Sequence, residues 1–96
     1  MNIKLLDLRR YAIENRIGIR FSDPDSGHEC TIDVNGQARA SRHDEDFRIE
    51  DVLAAARSFQ LIGQGKSQSY THDQMAGIIS ESLKRRGPAA TSKDSE

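Results

Sequence analysis

Ninety-six residues contain no Trp, one Cys and two Pro, and Tyr and Phe together number five. A single cysteine, Cys30, excludes a disulfide framework within the chain, and reducing cytoplasm is the compartment this composition suits. No run approaches the ~20 apolar residues of a membrane span. The N-terminal stretch is broken by Lys4, Asp7, Arg9 and Arg10 and does not read as a signal peptide. Excess charge of one sign is also missing, with 14 basic residues against 15 acidic. That balance disfavours a domain built to coat nucleic acid.

The chain length suits one domain. Apolar side chains make up 35% of it and glycine adds seven residues, a little short of the roughly 45–50% usual for globular domains. A core this thin points toward an oligomer or a docked partner.

Residues 2–15 read as a helix with two apolar stripes, Leu5, Leu8 and Ala12 on one and Ile3, Leu6 and Ile13 on the other. Together they span more than half the circumference, wider than a peripheral helix needs. Alternation then begins, with Ile17, Ile19 and Phe21 on one side of a strand at 17–22. Ser22 to Gly27 is dense in turn formers. A second strand at 29–34 and a third at 37–41 flank Asn35-Gly36.

Register can be reasoned from that turn. A two-residue loop at 35–36 pairs Ile32 with Arg39 and mixes polar with apolar residues on both faces. A three-residue loop with Gly36 left-handed in a G1 bulge pairs Cys30 with Ala40, Thr31 with Arg39 and Ile32 with Ala38. One face is then wholly apolar and the other wholly polar, so the bulged hairpin is expected.

A second helix is expected from between Asp46 and Glu50 onward, burying Ile49, Val52, Leu53, Ala56 and Phe59, with Gly63 as its C-cap. Residues 63–69 read as a polar loop. The third helix has the sharpest start signal: Thr71 and Gln74 match a capping box, and Tyr70 and Met75 a hydrophobic staple. Lys84-Arg85-Arg86 suit its C-terminal end, and Gly87-Pro88 read as its stop. The expected fold is α+β, ordered helix, three-stranded antiparallel meander, helix, helix, with the helices on one sheet face. Residues 1–87 form the domain and 88–96 a disordered tail.

Chemistry-bearing motifs are weak. Gly65-Lys66-Ser67 lacks the earlier glycine and the strand–helix setting of a phosphate loop. Asp23 to Glu29 misplaces the Gly and Glu of a calcium loop and reads as a turn. His28, Cys30, His43 and Asp44 fall short of a four-ligand zinc set. Cys30 alternates with Ile32 and reads as core, where a thiol is inert. A catalytic site would need His28, His43 or His72 gathered with a carboxylate in a pocket. Neither catalytic residues, metal nor cofactor are expected.

Two surfaces stay open to function. The leading expectation is a non-enzymatic protein-interaction or regulatory module, a cytoplasmic homodimer, self-associating through Ile3, Leu5, Leu6, Leu8 and Ile13. The alternative is a weak nucleic-acid module using an Arg-bearing hairpin (Arg20, Arg39 and Arg42), against which Glu29 and Asp33 stand on the same face.

Overall fold

The computed structural model describes residues 3–41 and 48–90. In chain order it contains α1 (Leu5–Asn15), β1 (Gly18–Ser22), β2 (Glu29–Ile32), β3 (Ala38–Ala40), α2 (Ile49–Ala55), β4 (Ser58–Gly63), β5 (Lys66–Thr71) and α3 (His72–Ala90). All strands are antiparallel neighbours in one five-stranded sheet, ordered β3-β2-β1-β4-β5. No helix among the described residues is long and apolar enough to cross a membrane.

α1 ends where Arg16 takes a left-handed conformation (φ 55°, ψ 47°). The Ile17 N–H then reaches back to the Ala12 carbonyl at 3.1 Å, the closing bond of a Schellman turn. This releases the chain into β1, whose Ile19 and Phe21 are buried.

The meander has the expected registers. Cys30 faces Ala40, Thr31 faces Arg39 and Ile32 faces Ala38. Gly36 has φ 80°, and Asp33 bonds both Gly36 (its carbonyl accepting at 2.9 Å) and the Gln37 carbonyl (its N–H donating at 3.1 Å). Those are the bonds of a three-residue loop with a G1 bulge. The Asp33 carboxylate accepts the N–H of Asn35 and of Gln37, both at 2.9 Å.

The expected second helix is corrected. α2 stops at Ala55, Ala56 is extended (ψ 130°), and 58–63 is a strand. Phe59 satisfies both a helical and a strand spacing, and a short apolar run cannot separate the two. Tertiary context does: β1 lies between β2 and β4, so the unpaired side of its backbone is satisfied by β4. Gly63 is therefore the last residue of β4 and not a helix cap.

The expected loop at 63–69 is corrected likewise, since Gln64 (φ 54°) and Gly65 (φ 75°) form a two-residue turn into β5. Positive φ at both central positions is the type I′ requirement. The meander is thus three strands of a five-stranded sheet. α3 runs past Gly87-Pro88, the expected stop, to Ala90. The missing N–H of Pro88 removes one bond from a ladder that the preceding turns already hold. Residues 91–96, the rest of the expected tail, lie outside the described residues.

The capping box forms as read. The Gln74 N–H donates to Thr71 Oγ1 at 3.2 Å, and the Thr71 N–H donates to Gln74 Oε1 at 2.9 Å. One hydrophobic cluster joins Leu8 and Ala12 of α1, Val52 and Leu53 of α2, and Met75 and Ile79 of α3 to Ile19, Phe21, Cys30, Ile32 and Phe59 of the strands. At its centre the rings of Phe21 and Phe59, paired in register, meet edge to face with centroids 5.5 Å apart. Such a contact adds about 0.5–1.5 kcal/mol to simple burial.

Candidate functional site

The apolar surface of α1 divides. Ile3 and Leu8 are buried in the core and Leu5 packs against it, whereas Leu6 and Ile13 are each about half exposed. Ile3 and Leu8 are therefore not available to a partner, because the chain's own hydrophobic cluster already covers them. What is left of the expected surface is Leu6 and Ile13, seven residues apart and hence on one side of the helix.

Pairing places Arg39, Thr31, Arg20, Gln60 and Ser69 in one row across the sheet, on the face opposite the buried Ile19 and Phe21. Arg20 Nη2 is 2.7 Å from Glu29 Oε2, so this arginine is engaged by a carboxylate on the neighbouring strand. Gln60 Nε2 donates to Ser67 Oγ at 2.7 Å. The face is polar and mixed in charge. Arg42, the remaining residue of the alternative reading, lies outside the described residues.

The Asp23–His28 turn holds its own acidic group. Asp23 accepts from the Asp25 N–H at 2.9 Å and from Ser26 Oγ at 2.8 Å. These bonds, the Ser26 hydroxyl foremost, hold the carboxyl below its ordinary pKa. Among the described residues no group of three or more His, Cys, Asp or Glu side chains is placed to hold a metal. His43 and Asp44 lie outside the described residues. Cys30 is fully buried, and that burial pushes its thiol up to about 11, with the Arg39 backbone N–H opposing and the Glu50 charge adding.

His72, the first residue of α3, packs its ring on Phe59 with centroids 5.9 Å apart. It lines a cleft of about 420 Å³ with Ile3, Lys4, Leu5, Glu50, Leu53 and Ala54. The carboxylate of Glu50 thus shares a cleft with one histidine. His28 is not among the lining residues. No hydrogen bond or ion pair joins Lys4, Glu50 and His72 to one another.

A groove of about 670 Å³ lies beside β5, between Tyr11 of α1, Tyr70 of β5 and one side of α3 (Gln74, Gly77, Ile78, Glu81 and Arg85). The α3 positions recur at helical spacing and form one stripe. A second cleft shares both tyrosines and continues over Ile17, Leu61 and Gly63 to the β4–β5 turn. Both tyrosines of the chain therefore line one continuous depression. The Tyr70 hydroxyl bonds Gln68 Oε1 at 2.6 Å. The Tyr11 hydroxyl is raised above its ordinary pKa by burial first and by Tyr70 second, with Arg85 pulling the other way. A shape of this size lined by aromatic, aliphatic and amide groups suits polypeptide contact.

Sequence reasoning missed this site. In the sequence the staple accounts for Tyr70, and Tyr11 lies off both apolar stripes of α1. Only knowledge that β5 exists brings the two together. No family model matches the chain, and no curated protein or solved structure is significantly similar to it.

Proposed function

We propose that this chain is a non-enzymatic protein-interaction module that acts as a homodimer in the cytoplasm, with its helices on one face of the sheet. The observation that carries the reading is the tyrosine-lined groove beside β5. Tyr70 and Ile78 are only partly covered, Gly77 is exposed, and the groove opens next to a strand that pairs on one side alone. Tyrosine supplies large contact area at little conformational cost, which is why it is enriched in protein interfaces. A thin core agrees with this, since apolar area that one chain leaves in water is worth roughly 25 cal/mol per Å² when a second chain covers it. Sedimentation of the purified chain across a wide concentration range is the test. A mass rising to twice the monomer supports the reading, and a monomer at every concentration overturns it.

A further inference from the structure

The geometry points to a specific mode of self-association: β5 pairs antiparallel with β5 of a second copy across a two-fold axis at Gln68, making one continuous ten-stranded sheet. This rests on the homodimer reading above and specifies its surface.

The two edges of the sheet differ. β3 has three residues, and its ladder to β2 is continued by one further bond, from the Ser41 N–H to the Glu29 carbonyl at 2.9 Å. Short edges of that kind resist pairing with other chains. β5 has six residues, no proline and an unbroken register against β4. Its one charge, Lys66, stands at the turn end. It shows few of the devices that guard exposed edges.

The free backbone groups also select a partner and a register. Gly63 and Lys66 flank a two-residue type I′ turn, which makes them a hydrogen-bonded pair. By alternation Lys66, Gln68 and Tyr70 bond β4, while Ser67, Ser69 and Thr71 turn their N–H and C=O outward. The Thr71 N–H is already taken by Gln74. Ser67 and Ser69 remain, each with a donor and an acceptor. A second β5 related by a two-fold axis at Gln68 sets Ser67 against Ser69 of its copy and Ser69 against Ser67, matching all four donors to all four acceptors. In that register Lys66 faces Tyr70 of the copy and not the other Lys66, so the two cations stay apart.

The helix beside the edge fits the same axis. A Cβ built on Gly77 meets nothing within 4 Å, leaving room for a side chain of the second α3, and Ile78 is the apolar neighbour that would enter. Glu81 and Arg85 bring one charge of each sign to the groove, so two copies meet without like-charge excess.

Two variants test the mode in the full chain. Gln68→Cys places a thiol on the axis, where facing residues of a non-bonded antiparallel pair lie within disulfide reach. Cys30, being buried, does not compete. Ser69→Pro removes an outward N–H without touching the β4 ladder. The expected results are a covalent Gln68→Cys dimer under mild oxidant, none for Leu6→Cys, and dimerisation of Ser69→Pro weakened roughly tenfold or more with unchanged circular dichroism. Should Ser69→Pro misfold, Gly77→Lys, at an exposed helix position, gives the same reading. A wild-type dimer that neither cross-links at Gln68→Cys nor weakens with Ser69→Pro or Gly77→Lys overturns this mode and leaves the homodimer reading standing. A wild-type chain that is monomeric throughout overturns both.

Discussion

Arg9 Nε donates a hydrogen bond of 2.7 Å to the carbonyl oxygen of Gly36, 27 residues further along the chain. It ties α1 to the bulged turn between β2 and β3. The approach is close enough that a Cβ on Gly36 would sit 2.6 Å from Ile13 Cδ1 and 3.3 Å from the Arg9 carbonyl oxygen. Gly36 is thus required twice, for its left-handed backbone and for the space it leaves to the helix.

Gly36→Ala should therefore destabilise the fold by about 2 kcal/mol or more, from left-handed strain together with displacement of Ile13. Arg9→Ala removes only the hydrogen bond and should cost about 1 kcal/mol. Urea denaturation of the two variants checks the order. Equal effects would mean that the close approach of α1 contributes nothing.

Arg16 makes the opposite case. It holds φ 55° at the end of α1 with a β-carbon that disfavours this region. Arg16→Gly is expected to raise stability by about 1 kcal/mol, the relief of left-handed strain exceeding the added freedom of the unfolded chain. Thermal unfolding should show a higher midpoint, and a lower one would contradict the conformational account.

Cys30 predicts an alkaline dependence. Its folded pKa of about 11 lies above the ordinary thiol value. The native state keeps a proton that the unfolded chain gives up, so the contribution is complete below about pH 8 and falls away as pH rises toward 11, by about 3 kcal/mol in all. Cys30→Ala should flatten the stability curve over that window. In the same experiment a thiol reagent at pH 8 should label the wild-type chain only when it is unfolded.

What could be read from residues alone was local. The Asn35-Gly36 turn, combined with the demand that Cys30, Ile32, Ala38 and Ala40 share a face, left one register, and that register is present. Thr71 and Gln74 are three apart and complete each other's hydrogen bonds without help from the rest of the fold. β4 was not legible because Phe59 fits two periodicities. β5 was hidden because, among Lys66-Ser67-Gln68-Ser69-Tyr70-Thr71, only Tyr70 marks a face. The groove depends on β5 and was hidden with it.

By itself the sequence determined the turns at 22–27 and at Asn35-Gly36, the start of α3 and the meander, because each depends on backbone preferences and side-chain bonds within a few residues. Tertiary structure alone decided that 58–71 is a hairpin and which apolar residues of α1 are buried. Leu8 lies in the core, as does Ile3 just before the helix, while Leu6 and Ile13 face outward, although Ile3, Leu6 and Ile13 read as one stripe. Strand pairing satisfies backbone groups that any sequence carries, and the partner for the open side of β1 lies about forty residues away in the chain. That demand is non-local, and composition near Ser67 and Ser69 does not announce it.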